Sequence, residues 1–179
     1  MSADSGLAAT SRGIERLMFA LYRLCLAGSL SLLGLMITCI LIQIVARYLL
    51  AIPPAWTEEL ARYAMVWCAM LGASCAYYLR AEPTLSRGIT TLSRGAALFK
   101  QTLETLAIGL FSWPVLAYGP ATLVRLASRE TETLGVSFAL PLSAVPLGFG
   151  LLLTLAVLRW VLAVLALPAY ESDYPPPTQ

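Results

Sequence analysis

The chain has 179 residues, 59% of them hydrophobic and 12% charged, with a net charge of +2 and a mean hydropathy of +0.76. A soluble domain averages roughly 45–50% apolar and about 25% charged residues, so this composition describes an integral membrane protein. Histidine is absent and aspartate occurs only at Asp4 and Asp173. That excludes His-ligated haem or zinc and a histidine general base, and so small a net charge does not describe a nucleic-acid binder.

In chain order, residues 1–11 read as a disordered tail. Arg12, Arg16 and Arg23 then precede an uncharged run over 24–46, long enough to cross a bilayer as a helix. The run is too long for a signal peptide and lacks a small-residue cleavage site, so it reads as a retained helix. Pro53-Pro54 ends it, because proline lacks the N–H and restrains its predecessor. Thr57 is predicted to N-cap the next helix, with Glu58 and Glu59 in its first turn against the positive end of the dipole. Further uncharged runs cover 63–79, 105–124 and 134–158. None alternates in polarity as barrel strands do, and backbone groups in lipid must be satisfied internally, so each is predicted to be a helix. Pro114, Pro120, Pro141 and Pro146 predict kinks in the last two. The expected fold is an all-α integral membrane protein with four transmembrane helices. Its membrane domain covers 12–168, and a Pro-rich tail over 169–179 is predicted to be disordered.

Basic residues set the expected orientation. Arg12, Arg16 and Arg23 flank the first run, and Arg80, Arg87, Arg94 and Lys100 lie between the second and third. Arg47, Arg125 and Arg129 fall on the other side. The positive-inside rule places both termini and the 80–100 loop in the cytoplasm. Tyr22, Tyr77, Tyr78 and Trp160 then mark the inner interface, and Tyr48 and Trp56 the outer one. Within 84–100 the sequence Leu-Ser-Arg-Gly recurs after one heptad. Leu85, Ile89, Leu92, Ala96 and Phe99 fall on one stripe, with Arg87 and Arg94 opposite. This pattern predicts an amphipathic helix lying in the membrane interface, apolar face toward the acyl chains of the phospholipid bilayer. An irregular basic loop is the alternative, because Gly88 and Gly95 each weaken a helix by about 1 kcal/mol.

The densest polar cluster is Arg47, Trp56, Glu58, Glu59 and Arg62. Glu58 and Glu59 stand four and three residues before Arg62, so both are within its reach on a helix. Two arrangements fit: a buried cluster locking the first helix to the second, or hydrated end groups at the outer interface. Ala69, Gly72, Ala73 and Ala76 give the second helix a small-xxx-small face on which another helix can pack closely. Cys25, Cys39, Cys68 and Cys75 read as small buried apolar residues. No span carries a transported-ion ligand, a metal or cofactor site, or a catalytic nucleophile.

Arg47, the block Trp56-Thr-Glu-Glu-Leu-Ala-Arg-Tyr63, Trp67, Leu71-Gly-Ala73, Leu140-Pro141 and Val145-Pro-Leu-Gly148 together resemble the small membrane subunit of tripartite ATP-independent periplasmic (TRAP) transporters, the DctQ family. The resemblance covers residues 14–166, and Arg87-Gly-Ile89 departs from a Gly-His-Ile seen in the family pattern. It implies a non-enzymatic, non-transporting scaffold in the bacterial inner membrane. The implied partners are a large membrane subunit that carries substrate and sodium, and a periplasmic substrate-binding protein that delivers an organic acid. Two other classes compete. A stand-alone four-helix exporter needs an acid deep in a span for proton coupling, whereas Glu58 and Glu59 sit at a helix mouth. A purely structural membrane protein is the second.

Overall fold

The computed structural model describes residues 2–50, 54–79 and 94–165. Its elements are α1 (Ser2–Val45), a single π-helical turn that continues it (Ala46–Leu50), α2 (Ala55–Tyr78), α3 (Arg94–Leu126), the short α4 (Ala139–Leu142) and α5 (Ala144–Leu165). The fold is all-helical, as expected.

Three boundaries differ from the sequence reading. Residues 2–11 belong to α1 rather than to a disordered tail. Residues 134–138 are not helical, and the last helix starts later and runs past Arg159 to Leu165. Thr57 is not the cap of α2: the helix starts after Pro54, and the Thr57 hydroxyl donates to the Pro54 carbonyl at 2.7 Å. A proline fixed at φ −75° sets the start by backbone geometry, and a threonine two residues inside it turns back on the carbonyl.

Among the described residues, three helical stretches are long and apolar enough to cross a membrane: Thr10–Leu49, Leu98–Leu126 and Ala139–Leu165. The sequence reading expected four. The helix that falls short is α2, where Arg62, Tyr63, Trp67, Ser74, Tyr77 and Tyr78 dilute an already brief apolar run. The protein is a multi-pass membrane protein on the strength of the other three. Pro114 and Pro120 lie within α3 without ending it.

The packing order is α1, α2, α5, α3, with α1 also touching α5. Ser29 meets Cys68, and the Cys75 thiol points at the Tyr22 carbonyl, so α1 and α2 run antiparallel. Met70 meets Gly148 and Tyr77 meets Arg159, so α2 and α5 run parallel. The α2–α5 seam depends on Gly148: a Cβ there would sit 2.7 Å from the Met70 Cβ, closer than real atoms come. The core lies toward one end, where Met18, Tyr77, Leu155, Ala156 and Leu162 are buried together. Cys25, Cys39 and Cys75 are buried, as small apolar residues are.

Candidate functional site: two charged ends of one helix

At the N-terminal end of α2 the four expected partners separate. Glu58 and Arg62 form an ion pair at 3.2 Å, but the two side chains are 72% and 65% exposed. Arg47 projects outward from the π-turn, exposed, and makes no ion pair with Glu58 or Glu59 among the described residues. Trp56 is 44% exposed in the first turn of α2. Among the described residues Arg47, Glu58, Glu59 and Arg62 do not come together as one buried cluster. Successive residues of a helix point about 100° apart, so Glu59 turns away from Glu58 and its Arg62 partner toward the α3–α4 connection.

There Glu59 meets residues 74 and 75 positions away. One carboxylate oxygen accepts the amides of Thr133 and Leu134 at 3.0 and 3.1 Å and the Thr133 hydroxyl. The other accepts the Tyr63 hydroxyl at 2.5 Å. The connection is preformed for this. Thr131 donates its amide to the Val136 carbonyl and its hydroxyl accepts the Val136 amide, while Phe138 donates to Arg129. Gly135, at φ +64°, supplies the left-handed residue that closes the turn. With those bonds made, the amides of Thr133 and Leu134 point at one place, a small anion-binding nest. The Thr133 hydroxyl above all, then the Tyr63 hydroxyl, hold the Glu59 carboxyl down to about 2; desolvation opposes them, and the two amides add the smallest lowering effects.

At the C-terminal end of α2 the tie is a cation. Arg159, 5% exposed, reaches from α5 and donates to the carbonyls of Tyr77 and Tyr78 at 2.7 and 2.9 Å. Its guanidinium also lies 4.3 Å from the centroid of the Tyr77 ring. The last carbonyls of a helix have no internal partner, and a positive charge there complements the dipole. Tyr78 in turn stacks on Tyr22 of α1, centroids 4.6 Å apart. Trp160 of α5 donates to Thr102 of α3 at 3.0 Å. The end of α2 is thus tied to α1 and α5, and α5 in turn to α3.

The small-residue face divides. Gly72 and Ala76 are half-buried, and Gly72 approaches Ser29 of α1. Ala69 and Ala73 are exposed, continuing the line of Glu58, Arg62 and Met65. The expected interfacial helix lies largely outside the described residues, including Leu85, Arg87, Ile89 and Leu92. Arg94 and Phe99 belong to the first turns of α3, and Phe99 is 71% exposed. Sequence reasoning missed Arg159, Thr131, Thr133 and Leu134. The available signal was Arg159 itself, a lone charge within an apolar segment.

Residues 36–166 match the family model described as the DctQ component of tripartite ATP-independent periplasmic transporters. The chain belongs to the DctQ family. A DctQ chain is the small membrane component of a TRAP transporter, a transport protein rather than an enzyme. No curated protein matches the chain. Both ties on α2 lie inside the matched region, whereas Arg12, Arg16 and Arg23 precede it.

Proposed function

We propose that this DctQ chain is a non-transporting scaffold in a sodium-driven TRAP transporter for an organic acid, in the inner membrane with both termini in the cytoplasm. In this reading α2 also crosses the membrane, alongside α5 and antiparallel to α1, giving four spans. Its polar content is tolerated because protein rather than lipid covers it. The exposed line Glu58, Arg62, Met65, Ala69 and Ala73 is the face offered to the large membrane subunit, and the Glu59-bound connection is a surface for the periplasmic binding protein.

The observation that carries the reading is where the buried and tethered charges go: Glu59 and Arg159 are both spent on holding the ends of α2. Charged groups in a transporting span line a pathway instead. Replacing Ala69 and Ala73 with leucine fills the open face and is expected to abolish co-purification with the large subunit, leaving the chain's own helicity unchanged. In proteoliposomes the chain alone gives no sodium-dependent uptake, and uptake appears only with the large subunit and binding protein present. Uptake by the chain alone would refute the scaffold role.

A further inference from the structure

We propose that the outward face of α1 is a binding edge for acidic phospholipid, with Arg23 at headgroup depth, Arg16 and Arg12 extending the positive column beyond it, and an acyl chain lying along Leu30, Ile37 and Leu41. At 44 residues and ~1.5 Å per residue, α1 is about 66 Å long, roughly twice the ~30 Å hydrocarbon core. About half of it therefore lies beyond the acyl chains. That half is fixed in orientation, because Ile14, Met18 and Leu21 pack into the core cluster with Tyr77, Leu155 and Leu162. Arg12, Arg16 and Arg23 are separated by four and seven residues, so at about 100° per residue they share one face within about 40°. They point away from Met18, and all three are exposed.

The column does not stop at the arginines. Leu30, Ile37 and Leu41 follow at intervals of seven, seven and four, and are 58%, 48% and 56% exposed. Phe19 stands beside the charged part, with the Arg23 guanidinium 5.9 Å from its ring centroid. A charged stretch passing into an aliphatic one along a single helix face matches a phospholipid, whose phosphate and acyl chain stand in the same order. Juxtamembrane arginines attract acidic lipid by about fivefold each. A protein partner would have to offer acids at one depth and an apolar wall at the next.

The test uses the full chain in mixed micelles of phosphatidylglycerol and phosphatidylcholine, with retained lipid counted by native mass spectrometry. The wild type is expected to retain phosphatidylglycerol about fivefold or more over phosphatidylcholine. Arg12→Gln, Arg16→Gln and Arg23→Gln combined should bring the ratio near one, and Arg16→Gln alone should lower it partway. Lysine at all three positions should restore it, since charge is what is read. Free glycerol phosphate should not compete, because it lacks the chain that lies on Leu30–Leu41. Arg125→Gln with Arg129→Gln, at the other end, should change nothing. A folded triple glutamine variant that still prefers phosphatidylglycerol overturns the proposal. So does a wild type with no preference whose triple variant loses the large subunit on co-purification, which would make the face a protein contact.

Discussion

The two ends of α2 are held by opposite charges that reach it in opposite ways. At its start the helix supplies an acid, Glu59, which leaves its own neighbours and binds the amides of a distant turn. At its end the helix supplies only carbonyls, and a buried arginine comes from α5 to meet them. Each charge has the sign that the local end of the α2 dipole favours. The contrast lies in burial: Arg159 is enclosed, whereas the Glu59 tether sits at a wetter surface. Beside Glu59, the sequence-local pair Glu58–Arg62 is the most obvious ion pair in the chain and holds nothing but itself. Long-range ties to backbone fix this bundle, and the i, i+4 pair decorates it.

The largest expected effect tests the buried end. Charge-assisted hydrogen bonds contribute about 1.5–3 kcal/mol each, and buried carbonyls left unpaired cost about 1–3. Arg159→Met should therefore lower stability to SDS-induced unfolding by about 3 kcal/mol. Arg159→Lys, which keeps the charge but loses the planar fork, should fall between. If Arg159→Met equals wild type, the two ends are not comparable ties.

Next is the seam that joins the ends. Gly148→Ala pushes a methyl onto the Met70 Cβ, and overpacking of this kind costs about 1–3 kcal/mol. Met70→Ala should recover part of the loss in the double variant, measured in the same unfolding titration.

The surface end should respond locally. Glu59→Gln or Thr133→Val should speed hydrogen exchange at the Thr133 and Leu134 amides without moving the unfolding midpoint as far as Arg159→Met does. The pH dependence has a definite sign. The folded carboxyl titrates at about 2, below its ordinary 4.5, so the tether is complete above pH 4.5 and is lost as pH falls through about 2. Protection of those two amides should follow that course, and in Glu59→Gln the dependence should vanish. Smallest of all, Glu58→Gln should change stability by no more than about 1 kcal/mol, since exposed pairs contribute little.

Much of this was legible in the sequence. The apolar runs marked α1, α3 and α5, and the Tyr22–Tyr78 stack joins two residues that belt reasoning had put at one level. The Trp56–Tyr63 block pointed to the family that the match establishes. What was illegible has two physical causes. A charge in an apolar run reads as the end of a span, so the uncharged run of the fourth helix stops at Leu158, one residue before the arginine that anchors it. Burial of Arg159 depends on carbonyls 81 and 82 residues away, and no local pattern announces them. Glu59 was likewise assigned to the nearest arginine by spacing, while the nest at Thr133 and Leu134 exists only once Gly135 has turned the backbone.

The packing order α1, α2, α5, α3 has a mechanical meaning. Among the described elements, α3 meets the bundle along α5 and the short α4, so the long helices are linked in series rather than in a ring. A push on α3 reaches the α1–α2 pair chiefly by way of α5, with a lesser path through α4 to α2. The joint nearest the load is the crease where Gly119 lies against Pro146, close enough that an added Cβ would stand 3.2 Å away. A substitution that widens that joint is expected to loosen α3 from α5 before it disturbs the contacts between α1 and α2.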